Sequence, residues 1–425
     1  MRIRRVGALV ATVVAVLLIG SPAALAAVPG PAATPTGTAT PASAAGTAGV
    51  AGGCPGYAAP GPPVDTSEVP KPGQATPAPL PVPDPPVGGD AMATCGTVVP
   101  PGAPAPPTVD PVSYVLADLD SGQVLAARVP HARLRPASLM KTLTGLLVAR
   151  RLPMDEVLTG TPDDANQEGT RVGVGPGGQY TIRQLLDGML MASGNDIAHA
   201  LAVRLTGSVD GTVALMNRTA ADLGADDTRA ATPSGLDGPG MSTSAYDLAS
   251  IFRVAMREAP FAQAVGTRQM PFPGYGAIPG FVVNNDNKLL ANYPGAIGGK
   301  TGFTDDARHT YIGAAERNGR RLVIVLMRGE QRPVPMFEQG AALLDYGFAL
   351  PRGEAVGQLT DAAPGRTTAA GAASGVDGTT DPGASAPADA SGSARSSRWQ
   401  TPLAVTVIVV VALLAAGLRL RHGRH

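Results

Sequence analysis

Three short clusters combine residue types that can act together. Ser138-Leu-Met-Lys141 separates a hydroxyl from an amine by three positions, which on a helix is one face and adjacent turns. A serine is a weak nucleophile until a base takes its proton, and a desolvated lysine can be that base because burial lowers its pKa. Arginine could not serve, since its guanidinium does not deprotonate. The chain carries 33 basic residues, and only Lys71, Lys141, Lys288 and Lys300 are lysines. A lysine at 141 in so arginine-biased a chain points to chemistry. Taken alone, Ser-x-x-Lys also fits a capping serine beside a solvated lysine. Ser193-Gly-Asn195 follows a helical run and precedes another, so its turn can present both side chains to a cleft, although such residues populate many turns. In Lys300-Thr301-Gly302 the lysine can hold a carboxylate as a point charge and the threonine adds a hydroxyl. Gly302 lets an extended substrate lie against the strand backbone. A phosphate loop is excluded there, because the glycine it needs six positions before Lys300 is Pro294.

The elements that must position these groups are legible as patterns. Residues 114–120 and 123–128 flank Ser121-Gly122 as an opening hairpin, and residues 309–316 and 320–327 flank Asn318-Gly319 as a closing one. Between them lie helical patterns over residues 138–150, 180–191, 196–205, 211–223 and 244–257. The first is apolar on most faces and is therefore expected at the centre, with Pro136 near its start. The last opens with a Ser244-x-x-Asp247 cap. Strands at both ends with helices between them predict an α+β fold, an antiparallel sheet whose first and last strands pair, carrying a helical cluster. Lys300 is expected on an edge strand of that sheet.

In order and type the three clusters match the Ser-x-x-Lys, Ser-x-Asn, Lys-Thr-Gly set of penicillin-binding proteins and class A β-lactamases. The segments Asp118-Leu-Asp-Ser-Gly-Gln-Val-Leu-Ala-Ala, Arg135-Pro-Ala-Ser-Leu-Met-Lys141, Leu190-Met-Ala-Ser-Gly-Asn-Asp196 and Gly298-Gly-Lys-Thr-Gly-Phe-Thr304 resemble the low-molecular-mass, serine-type D-alanyl-D-alanine carboxypeptidases. The resemblance covers about residues 112–350 and implies the β-lactamase/DD-peptidase-like transpeptidase fold. It further implies that Ser138 attacks the carbonyl between the terminal D-alanines of a peptidoglycan stem peptide, with Lys141 as base. Ser193 would protonate the leaving amine, Asn195 would hold the substrate amide, and Lys300 with Thr301 would bind the terminal carboxylate. The backbone N–H groups of Ser138 and Phe303 would form the oxyanion hole. β-Lactam antibiotics would acylate Ser138, and no cofactor is required. The middle triplet is Ser-Gly-Asn rather than Ser-Asp-Asn, and Glu168 does not match the deacylating glutamate of class A β-lactamases. A serine β-lactamase and a non-hydrolytic β-lactam or peptidoglycan sensor both keep Ser138, so they stand as alternatives. A zinc peptidase is disfavoured, since His131, His199 and His309 show no H-E-x-x-H or other close ligand spacing.

The formal net charge is zero and no basic stripe crosses the middle of the chain, which argues against nucleic acid as a partner. Residues 1–26 read as a signal peptide: Arg2, Arg4 and Arg5, an apolar run, then Ala24-Leu-Ala26. Half of the 42 prolines fall in residues 27–110, which are expected to form an extracytoplasmic Pro/Ala/Gly-rich spacer without a catalytic role. Cys54 and Cys95 lie within it and are a plausible disulfide of an exported protein, free or intermolecular thiols being the alternative. The catalytic domain is placed at residues 111–350, followed by a disordered linker at 351–398. Residues 399–420 have a leading Trp399, no charge from Leu403 to Leu418, and Arg419, Arg421 and Arg424 near their end. Twenty-two helical residues rise ~33 Å, enough for a transmembrane span, with 421–425 as a cytoplasmic tail and the domain outside the cytoplasmic membrane.

Overall fold

The computed structural model describes Cys54 and residues 56–361. The expected signal peptide and transmembrane segment, the tail and most of the linker lie outside these residues. Among the described residues no helix is long and apolar enough to cross a membrane.

In chain order the strands are β1 (Thr97–Val98), β2 (Ser113–Asp118), β3 (Gln123–Arg128), β4 (Val157–Thr159), β5 (Gln179–Thr181), β6 (Gln269–Phe272), β7 (Phe281–Asn284), β8 (Ala296–Thr304), β9 (Arg308–Arg317), β10 (Arg320–Gly329) and β11 (Gly357–Gln358). The helices are α1 (Lys141–Arg151), α2 (Pro162–Ala165), α3 (Ile182–Ala192), α4 (Asn195–Thr206), α5 (Val209–Asp222), α6 (Ala245–Ala255), α7 (Ala259–Gly266), α8 (Leu289–Asn292) and α9 (Met336–Ala349). The main sheet is antiparallel in the order β1-β3-β2-β10-β9-β8, with β11 beside β3, while β4-β5 and β6-β7 are separate hairpins. The opening strand β2 therefore pairs with β10 of the closing hairpin, as expected, and β8 with Lys300 ends the row. The turn at Asn318-Gly319 has φ of 51° and 67°, the two left-handed positions of a type I′ hairpin turn.

Strand β10 explains the layering. Val323, Val325 and Met327 join the core beneath the central helices, whereas Leu322, Ile324 and Leu326 join a second core with Leu343 and Leu344. A strand apolar at every position needs cover on both faces. The helical cluster covers one face and α9, which the pattern reading did not single out, covers the other. As expected, α1 is central, with residues from Lys141 to Val148 buried against α3, α4, α5, α6 and α7.

Some boundaries differ from the expectation. The helix expected over residues 180–191 begins at Ile182, because Thr181 and Gln184 form a capping box there. Tyr180 instead belongs to β5 and stacks on Phe272 at 5.2 Å. The central helix is preceded by a single 3-10 turn, Ala137–Met140, that carries Ser138.

The largest correction concerns the spacer. Described residues of the Pro-rich segment pack on the domain: Cys54 is bonded to Cys95, Tyr57 and Met92 are buried, and β1 joins the sheet. Polyproline-type chain offers carbonyls but few N–H groups, so side-chain donors must hold it. His131, Arg133 and Arg135, alternating along one extended stretch, face it as those donors. The His131 ring bonds the Val87 carbonyl, Arg133 donates to the carbonyls of Ala58, Leu80 and Pro81, and Arg135 donates to that of Gly61. At the other boundary, β11 and the buried Leu359 carry the packed domain past residue 350, into what was expected to be linker.

Candidate active site

Ser138 sits where four constraints meet. Ala137 before it has φ of 49°, a costly conformation for a residue with a side chain. The Pro136 carbonyl accepts from Thr310 Oγ1 at 2.9 Å. The Ala137 carbonyl lies against Gly235, where a Cβ would stand 1.8 Å from the oxygen. Gly302 closes the other side, where a Cβ would be 2.4 Å from Thr310 Oγ1 and 3.0 Å from the Ser138 nitrogen. The turn bearing Ser138 and β8 thus touch through a position that admits only glycine.

Lys141 Nζ is fully buried and 3.0 Å from Ser138 Oγ, 2.6 Å from Asn195 Oδ1 and 2.7 Å from the Ser234 carbonyl. Burial, aided by the positive charge of Lys300 and opposed by Asp196, pushes its pKa well below the usual lysine range. A neutral amine has two N–H donors and one lone pair. Carbonyl oxygens cannot donate, so Asn195 and Ser234 take the two N–H groups and the lone pair is left facing the Ser138 hydroxyl. That geometry lets Lys141 receive the serine proton.

Ser193 ends α3 in the left-handed region, φ 62°, which turns its side chain toward β8. Its Oγ lies 3.0 Å from Lys300 Nζ, which also donates to the Thr301 carbonyl at 2.7 Å. Lys300 is buried, and burial, partly offset by Asp286, lowers its pKa to about 8. Asn195 opens α4, and its side-chain nitrogen donates to the Glu168 carbonyl at 2.7 Å. The Glu168 side chain is exposed, so this residue meets Asn195 through its backbone. Next to Asn195, the buried Asp196 carboxylate accepts from the N–H groups of Val172, Gly173 and Val174 and holds the loop that borders the cleft.

A cleft of about 490 Å³ joins these parts, lined by Ser138, Ser193, Thr301, Gly302 and Phe303 and extending to Asp286 and Lys288. All eight residues singled out from the sequence converge here: five line the cleft, and Lys141, Asn195 and Lys300 make the bonds beneath it. Sequence reading missed the Ser234 carbonyl, Gly235, Thr310 and Asp196. The first two lie in Thr232-Pro-Ser-Gly-Leu-Asp237, whose turn-forming composition was the only available signal.

Among the described residues, one group has the make-up of a metal-ligand set: His131, Asp227 and Asp247. Both His131 nitrogens are bonded, to Asp227 and to the Val87 carbonyl. Asp227 also accepts from Arg133, and Asp247 from Thr228 and the Asp227 N–H. These bonds already satisfy the ligand atoms, and the group ties the Pro-rich arm to the helices. His199 bonds Asp164, and His309 packs on Phe303.

The family model for D-alanyl-D-alanine carboxypeptidase matches residues 101–331, more than half of the chain. This chain belongs to the D-alanyl-D-alanine carboxypeptidase family. It is 48% identical over 251 residues to D-alanyl-D-alanine carboxypeptidase DacB2 of Mycobacterium tuberculosis, an alignment covering 58% of this chain and 85% of that protein. Bacillus subtilis D-alanyl-D-alanine carboxypeptidase DacF is 30% identical over 242 residues, 56% of this chain and 62% of the relative. Among solved structures, a D-alanyl-D-alanine carboxypeptidase from Mycobacterium tuberculosis superposes with a TM-score of 0.59 at 45% identity, covering 62% of this chain and all of that one. A Streptomyces DD-transpeptidase gives 0.55 at 26% identity, over 58% of this chain and all of its own. The carboxypeptidase family thus shares the penicillin-binding, α+β architecture described above.

Proposed function

We propose that this serine-type D-Ala-D-Ala carboxypeptidase works through an acyl-enzyme on Ser138. Lys141 takes the hydroxyl proton as Ser138 Oγ attacks the carbonyl between the two terminal D-alanines of a stem peptide. The N–H groups of Ser138 and Phe303 receive the oxyanion. The carbon–nitrogen bond then breaks as Ser193 passes a proton to the departing amine and recovers one from the Lys141 ammonium through solvent, so that Lys141 is neutral again and Lys300 keeps its charge. Asn195 holds the acyl-side amide, while Lys300, Thr301 and Gly302 receive the terminal carboxylate. Water cleaves the ester and regenerates Ser138. β-Lactams present the same acyl group and carboxylate and would enter the same cycle.

The observation that carries this reading is the coordination of Lys141, a buried amine with two carbonyl-type oxygens on its N–H groups and a serine hydroxyl on its remaining side. Mass spectrometry of the protein mixed with penicillin, and separately with a pentapeptide ending in D-Ala-D-Ala, tests it. The expected outcome is a persistent penicilloyl adduct on Ser138 together with free D-alanine, both lost in Ser138→Ala. An adduct without D-alanine release would replace the enzyme by a sensor, rapid penicilloate release would indicate a β-lactamase, and an adduct retained by Ser138→Ala would remove Ser138 as nucleophile.

The proposal extends to placement. The signal-type residues 1–26 and the apolar run in residues 399–420 support an exported domain tethered to the cytoplasmic membrane by a C-terminal helix, where the substrate is peptidoglycan.

A further inference from the structure

Residues 27–100 of the Pro-rich arm lie outside the residues matched by the family model, and the segment from Gly61 to Glu68 runs beside the active site. Arg135, three residues before Ser138 and almost fully buried, forms a two-pronged ion pair with Glu68, and its Nη2 also donates to the Gly61 carbonyl at 2.9 Å. Between these two contacts, the Val64 N–H donates to Asp306 Oδ1 at 2.6 Å. Asp306 is buried in the turn that ends β8, three residues after Phe303, and that turn is closed by the Ala307 N–H bonding Thr304 Oγ1. One eight-residue segment therefore grips the nucleophile turn on one side and the end of the edge strand on the other.

Those are the two elements that supply the oxyanion donors. They meet closely at Gly302, which leaves the Ser138 nitrogen close to the β8 backbone, and the turn bearing Ser138 holds Ala137 in a conformation that needs outside support. The segment has that support to give, because it is anchored at each side. The Cys54–Cys95 bond and the Arg133 contacts to Ala58, Leu80 and Pro81 bracket it.

We propose that residues 61–68 are a strap that fixes the spacing of the two oxyanion donors, with Glu68 and the Val64 N–H as positioning groups for acylation. This inference rests on the acyl-enzyme reading above. A strap of this kind acts on the transition state, where the carbonyl oxygen has moved into the donor pair, and leaves binding of the carboxylate at Lys300 untouched.

The test compares wild type, Glu68→Gln and Val64→Pro. The last removes the N–H donor while its ring fixes φ near −65°, at a residue 69% exposed and following Pro63. Penicillin acylation rate, kcat and KM for D-alanine release, and thermal midpoint are measured on each. Both variants should lose acylation rate and kcat by roughly tenfold with KM unchanged, the size expected for a sub-ångström misplacement of preorganised donors. Wild-type acylation and kcat in Val64→Pro, or a rise in KM with kcat intact, would overturn the strap, whatever happens to the midpoint. If Glu68→Gln does not fold, Val64→Pro decides alone. Failure of the wild type itself to form the adduct or release D-alanine would overturn the acyl-enzyme reading, a result the variants do not mimic.

Discussion

Two buried lysines bond the serines of the cleft, Lys141 to Ser138 and Lys300 to Ser193, and the proposed mechanism gives them different work. Lys141, with its pKa well below the lysine range, is the proposed base; Lys300, at about 8, still carries charge near neutrality. The carboxylate binding proposed for Lys300 uses its protonated form, which is present below about pH 8 and lost above it. The kcat/KM for peptides with a free C-terminal carboxylate should therefore fall on the alkaline side around that pH, chiefly through KM, while a C-terminally amidated peptide should lack this limb. A pH–rate profile of both substrates checks this. In the same experiment Lys300→Ala should raise KM for the free acid by roughly tenfold to a hundredfold, the worth of a charge-assisted hydrogen bond, and an unchanged KM would remove Lys300 from the role. The paucity of lysine in this chain made both positions conspicuous from composition alone. What composition could not convey is that the oxygens of Asn195 and Ser234, from two other parts of the chain, orient the Lys141 lone pair.

At the level of elements, the nucleophile turn depends on a glycine that faces it from elsewhere. Gly235 has φ of 84°, and Gly235→Ala would bring its methyl against the Ala137 oxygen. The left-handed backbone alone costs about 1–2 kcal/mol, and displacing the turn should also slow acylation, so the variant should melt lower and label more slowly with penicillin. The arm yields a second expectation. His131 faces an acceptor at each ring nitrogen, Asp227 and the Val87 carbonyl, an arrangement that the doubly protonated ring satisfies. Burial opposes that charge, but the bond and charge of Asp227, the charge of Asp247 and the Val87 carbonyl outweigh it and raise the pKa above its ordinary value, with Arg133 also on Asp227. A raised folded pKa means that the stabilisation is complete below about pH 6.5 and disappears as pH climbs through the raised value. Urea midpoints followed against pH should show that decline in wild type and lose it in His131→Gln. Hairpins and helices were legible because Asn318-Gly319, Ser244-x-x-Asp247 and the apolar periodicities are local signals. The arm was not, because its proline-rich composition reads as spacer and what holds it is a set of donors spaced two apart at 131, 133 and 135. Nor was α9, whose need follows only once β10 is known to sit mid-sheet with apolar residues on both faces.

For the molecule as a whole, the Cys54–Cys95 bond closes a loop of 41 residues that contains the strap. Loop-closure entropy puts its contribution at roughly 4 kcal/mol, so Cys54→Ser with Cys95→Ser should lower the unfolding free energy by about that amount or less in denaturant titrations. Loss of penicillin labelling before the main unfolding transition would show the arm detaching first. The sheet imposes a different order on assembly. β2 and β3 are neighbours in sequence and can pair early, but Asp118 at the end of β2 meets Arg320 of β10 across 202 residues. Contacts so distant in sequence make the closing step slow relative to local hairpins and helices. Until β8, β9 and β10 have joined, Lys300 has no place beside Ser193 and Gly302 none beside Ser138. A chain partway through folding can hold α1 formed and yet be chemically silent, so that activity begins only when β8 to β10 have joined the sheet.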